Sequence, residues 1–324
     1  MPVPFSEILG SILSVTFAAG VLRVTTPILL PALGGLISDL AGVINIALEG
    51  TMLVAAFTGV VVSSLTGSAW LGLAAALAAS ALISLILAFV HLHLRADLIL
   101  AGIAVNFLAS GGTVFLLYSL TGDKGTSSRL ASLTMPYVHL PVLRDIPVLG
   151  PILSGQNLLV YVAFLMVGVV WIFLYRTVAG VHLRAAGSNP DAAATAGISV
   201  RRTRYRALVY SGLLAGLGGA HMSMGYLQLF QRDMTAGRGF IALAAVFLGG
   251  RHPLGTMLAA LLFGCADALA THLGSLRIPP QYVQMIPYLV TVGALAIYAV
   301  TQQRSAIQRQ RRMAERHRAA EAGG

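Results

Sequence analysis

Apolar residues run along this chain in long blocks with few polar breaks. Uncharged stretches occupy 69 to 90 and 98 to 121, a stretch with the single acid Glu49 occupies 43 to 65, and others lie at 157 to 175, 207 to 231, 254 to 273 and 283 to 301. Most approach the roughly 20 residues that carry a helix across about 30 Å of hydrocarbon. Three shorter blocks, 8 to 22, 24 to 37 and 239 to 250, bring the expected crossings to about ten, or about eight without the weakest pair. The pattern predicts an all-α, polytopic membrane protein in which residues 1 to 301 form one transmembrane domain and some helices are short or discontinuous. Block 8 to 22 reads as a retained span: no Lys or Arg precedes it and Arg23 follows, the reverse of a signal peptide.

Composition agrees. With 57% hydrophobic and 10% charged residues, the chain has more apolar surface than one soluble core can hide. A lone cysteine, Cys265, leaves neither a disulfide framework nor a thiolate metal site. The net charge of +10 would suggest nucleic acid in a soluble protein, but twelve of the 21 basic residues fall in two segments, 176 to 206 and 304 to 318. The positive-inside rule puts both segments, and by counting both chain termini, in the cytoplasm. The stretch 122 to 156, with four prolines, becomes an external loop, and 302 to 324 a basic tail drawn to anionic lipid. No nucleic acid partner is expected. Lys124 is the only lysine and has no upstream glycine at the required offset, so no phosphate-binding loop can be written and any ATPase must be another polypeptide. No catalytic residue, cofactor or metal site is expected.

Within the island from Arg176 to Arg206, Asn189-Pro190-Asp191-Ala192-Ala193-Ala194-Thr195-Ala196-Gly197 is punctuated as a very short helix. Asn189 suits the N-cap, Pro190 the first helical position, Asp191 the positive end of the dipole and Gly197 the left-handed residue after the last turn. So short a helix is unstable alone and needs a surface to dock against. There is also an internal echo: Gly50-Thr51-Met52-Leu53 recurs as Gly255-Thr256-Met257-Leu258, each opening a full-length span behind a Gly-interrupted segment. Paired interrupted segments mark discontinuous helices around a central site.

Asp191-Ala192-Ala193 with Gly197 resembles the EAA-x-x-x-G loop of importer-type ABC permeases, with Asp for Glu. Leu33-Gly34-Gly35-Leu36-Ile37 running into Gly42 to Gly50, Ala96 to Asn106, Thr235 to Ala244 and Ile278-Pro279-Pro280-Gln281 resemble the sugar and nucleoside branch of the branched-chain-type permeases. The closest likeness is to the shorter permease of purine-nucleoside uptake systems. The resemblance implies an importer-type ABC permease fold, a cytoplasmic ABC ATPase, a second and unlike permease, and an external binding protein or lipoprotein. It implies a coupling role for Arg184, Asn189, Asp191, Ala192, Ala193 and Gly197. The substrate it implies is a nucleoside, with a simple sugar such as ribose or galactose as the alternative, moved by alternating access.

Intramembrane polar residues are the candidates for a substrate path. Glu49, with Asn45 a turn earlier, either shapes the path or caps a helix end. Asn106 either reads a sugar or base or ties helices together. His221, behind a run of small residues that permits close packing, either meets substrate or is satisfied by a carbonyl. Gln228 and Phe230, with Tyr226 and Gln231, either stack and read a base or form an interfacial aromatic belt. Asp267 is expected to make structural hydrogen bonds. An ion-coupled transporter, the rival reading, needs ionisable groups converging at the midplane, and no spacing joins Glu49, Asp267 and His221.

Overall fold

The computed structural model describes residues 15–139 and 149–274, together with 289–293 and residue 296. The helices are α1 (Val15–Leu40), α2 (Leu48–Thr66), α3 (Ala69–Leu92), α4 (Leu98–Thr121), α5 (Leu149–Leu153), α6 (Leu158–Arg176), α7 (Val178–Ser188), α8 (Pro190–Thr195), α9 (Val200–His221), α10 (Arg238–Leu248) and α11 (Pro253–Gly274). A π-turn, Met222–Tyr226, extends α9, and β1 (Tyr137–Val138) pairs antiparallel with β2 (Gln156–Asn157). Six helices among the described residues are long and apolar enough to cross a membrane: α1, α2, α3, α4, α6 and α11.

The described residues do not give ten crossings. Blocks 8 to 22 and 24 to 37, expected as separate spans, are from Val15 onward one continuous helix with Arg23 inside it. Block 239 to 250 yields α10, whose 11 residues rise only about 16 Å, half the hydrocarbon thickness. Block 283 to 301, the motif at Ile278 to Gln281 and the tail fall almost entirely outside the described residues.

Short local signals set the ends. Asp97 accepts hydrogen bonds from the Ile99 and Leu100 N–H groups at the start of α4, and Ser68, Asn157 and Thr177 cap α3, α6 and α7 in the same manner. The left-handed glycines Gly67 and Gly122 close α2 and α4.

α1 is the axis of the bundle. Ile28, Leu29, Leu30, Leu33 and Leu36 are wholly buried between α9, α10, α11 and α6. α9 reaches α3 because it presents glycine: a Cβ at Gly212 or Gly216 would overlap the Ser84 or Ser80 hydroxyl. α4 is peripheral, with Phe107 and Leu108 pointing outward. One end of the bundle gathers Leu40, His93, Arg251 and the 176 to 206 loop, joined by Arg251 to Asp39 and by His93 to Tyr205. This is called the basic end. Gly67, Gly122 and Asn157 lie at the far end, as does Val15, so α1 enters there. The expected cytoplasmic N-terminus concerns residues 1–14, outside the described residues.

Candidate functional site

At the basic end the predicted short helix is present. Asn189 Oδ1 accepts the Ala192 N–H at 3.0 Å, Pro190 holds the first helical position and Asp191 lies in the first turn. Gly197 is left-handed at φ 81°. Its N–H donates to the Ala194 carbonyl and that of Ile198 to the Ala193 carbonyl, the paired bonds that seal a helix behind such a glycine. Only Ala193 is buried, while Asp191, Ala192, Ala194 and Thr195 are exposed. α8 is thus a rigid knob with a bare alanine face. Arg184, half-buried on α7, lays its guanidinium over the Tyr175 ring at 4.8 Å.

α7 seats this knob on the end of α1. A Cβ at Gly187 would overlap the Leu40 carbonyl, so the two backbones meet with no side chain between them. The chain then turns at Gly42 (φ 76°) and climbs through residues 43 to 47 before α2 begins. Two amides hold this interruption. Buried Asn45 donates from Nδ2 to Ser211 Oγ of α9 at 3.0 Å and accepts the Ala47 N–H at 3.0 Å. Asn106 of α4 accepts the Gly50 N–H at 2.8 Å and donates to the Ile46 carbonyl at 3.0 Å.

Glu49, in the first turn of α2, reaches across to α10. Its Oε1 accepts the Gly237 N–H at 2.8 Å and its Oε2 the Gly239 N–H at 2.7 Å. One carboxylate therefore sits at the positive ends of two helices that run in opposite directions. Next to it Arg238 pairs with Asp267 of α11, Nη2 to Oδ2 at 2.7 Å, both side chains 18% exposed. Ser110, one turn beyond Asn106, donates to Asp233 at 2.7 Å. These contacts form a continuous polar line along α4, α2, α10 and α11. Of it, sequence reasoning found Glu49, Asn106 and the bonding of Asp267, and it gave no role to Arg238, Asp233 or Ser110. The signal for Arg238 was its place inside the quoted Thr235 to Ala244 motif.

His221 is wholly buried, and Nε2 lies 3.2 Å from the Arg23 carbonyl. A carbonyl only accepts, so Nε2 carries the proton. Pro27 explains the contact: lacking an N–H, it leaves the carbonyl four residues back, that of Arg23, without its helical partner. Thr26 Oγ1 donates to the neighbouring Leu22 carbonyl at 3.0 Å.

At the far end Phe230 is buried, its ring 5.3 Å from that of Phe57. Its backbone is stitched to Ser127 of the overlying loop, N–H to Oγ and carbonyl to N–H, each at 2.8 Å. Gln228 is exposed, with Nε2 3.4 Å from the Tyr137 hydroxyl. Gln228, Asp233 and Ala236 all have positive φ, and Ala236, at 46°, has no side-chain polar group to favour it. The loop after α4 holds its turn through Asp123, which accepts the Gly125 N–H at 2.7 Å, a bond that keeps its carboxyl below the usual range. The echoed Gly50 and Gly255 each occupy the third residue of a helix, α2 and α11, and both helices run toward the far end.

The chain matches, over residues 17–295, the family described as branched-chain amino acid transport system / permease component. It is 39% identical over 285 residues to the guanosine ABC transporter permease protein NupQ of Bacillus subtilis, covering 83% of this chain and 87% of that one. It is 35% identical over 309 residues to the putative glucose ABC transporter permease protein TsgC13 of Haloferax volcanii, covering 88% and 93%. It is 34% identical over 293 residues to the nucleoside ABC transporter permease protein NupC of Lactococcus lactis subsp. cremoris, covering 86% and 91%. No solved structure matches it. A multi-pass bundle of apolar helices with an exposed, doubly capped knob, matched over nearly its whole length, identifies this chain as a member of the branched-chain amino acid transport system permease family.

Proposed function

We propose that this chain is one membrane-spanning half of an ATP-driven nucleoside importer. The observation that carries the reading is α8, a six-residue helix sealed at both ends whose exposed alanine face has no partner within the described residues. A separate cytoplasmic ABC ATPase grips that face, through Asp191, Ala192 and the caps Asn189 and Gly197, with buried Ala193 seating the helix on its own chain and Arg184 bracing α7. The basic end is then cytoplasmic, residues 302 to 324 form a tail on the inner membrane surface, and residues 1 to 301 form the transmembrane domain.

The polar line from Asn106 through Glu49 and Arg238 to Asp267 is partly exposed on the surface of the single chain. Ionisable groups at membrane depth face a bundle interior or a water-filled cavity, not lipid. This face therefore meets a second, unlike permease, and the translocation path runs between them. Glu49, Asn106 and Gln228 line the path, while Asn45, His221 and Phe230 stiffen its wall. An external binding protein or lipoprotein delivers substrate over the Phe230 loop. Nucleosides are favoured by two of the three named relatives, and a simple sugar, favoured by the Haloferax relative, is the second reading.

The test is uptake of labelled guanosine and adenosine by cells with and without the gene, with ribose, galactose and glucose as unlabelled competitors and ATP depletion as a control. Gene-dependent, ATP-dependent uptake that nucleosides alone compete supports the proposal. Competition by sugars transfers it to the second reading, and uptake that survives ATP depletion on an ion gradient refutes it.

A further inference from the structure

Two cavities beside α6 and α9 share the Phe173 and Tyr210 side chains as a common wall. The larger, of 330 Å³, is an almost wholly apolar groove lined by Met166, Val170, Phe173, Tyr210, Leu213 and Leu217 among others. It extends from the Phe173 and Tyr210 rings, packed edge to face 5.6 Å apart, to Met166 and Leu217, seven residues farther along each helix or about 10 Å. The smaller, of 60 Å³, lies on the basic-end side of the same two rings and is lined also by His182 of α7 with Thr203 and Arg206 of α9. Ligand pockets for drug-sized molecules measure about 300–1,000 Å³, so this one has room for a phosphate-sized group and not for a nucleoside.

Charge decides the occupant. No Asp or Glu lines either cavity, and among the described residues Arg206 and His182 make no ion pair. A guanidinium is always charged and matches phosphate geometry. A cationic pocket at the membrane boundary, next to an apolar groove that descends into the hydrocarbon, suits one molecule with an anionic head lying over the two rings and a hydrocarbon chain below them. We propose that this is a specific binding site for an anionic phospholipid, its phosphate at Arg206 and His182 and one acyl chain in the groove. The lipid thereby ties α7 to α9, the two helices that flank α8.

Native mass spectrometry of the purified full chain in detergent tests this. The probes are phosphatidylglycerol, phosphatidylcholine with the same acyl chains, and glycerol phosphate without chains. Phosphatidylglycerol is expected to be retained roughly fivefold more tightly than phosphatidylcholine, which has the same phosphate but brings its choline cation up against Arg206. Arg206→Gln, at an exposed position where folding is not at stake, removes that preference. Leu213→Trp, which fills the groove and leaves the charge, weakens both lipids, and Arg201→Gln, outside both cavities, changes nothing. Equal losses in Arg201→Gln and Arg206→Gln would reduce the site to diffuse surface attraction and overturn the proposal. So would glycerol phosphate binding as tightly as the lipid, or lipid retention indifferent to Leu213→Trp. None of these outcomes bears on the transport reading, which uptake decides separately.

Discussion

Glu49 and His221 are both single side chains repairing a backbone that the helices leave incomplete. Glu49→Gln preserves shape but offers one acceptor oxygen where two N–H groups converge, so one of Gly237 and Gly239 faces an amide donor. The expected cost is about 1–3 kcal/mol, read as a lower unfolding midpoint of the purified protein, and an unchanged midpoint would refute the crossed cap. For His221 the test is a cycle. His221→Leu strands the Arg23 carbonyl and costs about 1–3 kcal/mol on its own. In a Pro27→Ala background the new N–H recovers that carbonyl, so the same substitution should lose much of its effect. Additive losses would mean that the imidazole is not serving the proline. The sequence offers both roles as alternatives, a helix-end cap for Glu49 and a carbonyl for His221, but not their partners, which stand 188 and 198 residues away in the chain.

At the scale of elements the contrast is between α8 and α1. All the information that makes α8 a helix lies within nine consecutive residues, and the sequence reading of cap, proline, acid and terminal glycine therefore transfers to the structure residue by residue. Asn189→Ala removes the cap and should cost about 1 kcal/mol of local stability. Gly197→Ala meets no neighbouring atom within 4 Å, so its cost is backbone strain alone, about 1–2 kcal/mol. Both variants should reach the membrane in normal amount and import less, and normal uptake by both would remove α8 from the transport cycle. α1 fails as a sequence prediction for the opposite reason. Arg23 reads as a boundary, and Pro27 is accommodated inside the helix by a group the sequence does not place there, His221, which meets the carbonyl that the proline frees. The half-length of α10 was legible in its apolar block, but the carboxylate at its start was not.

For the whole molecule, the contacts trace a mechanical route from the knob to the polar line. α7 bears on Leu40, the turn at Gly42 leads to Asn45 and Asn106, and these fix the start of α2, from which Glu49 holds α10. Gly187→Ala tests the first joint. The added methyl forces the two backbones apart, and the expected outcome is an importer that still binds its ATPase and hydrolyses ATP but moves little substrate. Retained uptake would mean the force takes another route. Side chains yield when pushed, since they can swing between rotamers, whereas backbone packed on backbone has almost no give. A joint made at Gly187 is therefore a bearing without slack. Under the proposed coupling, strokes of an ångström or two at α8 would reach α1 at full amplitude, on a short throw that needs this one position to stay bare.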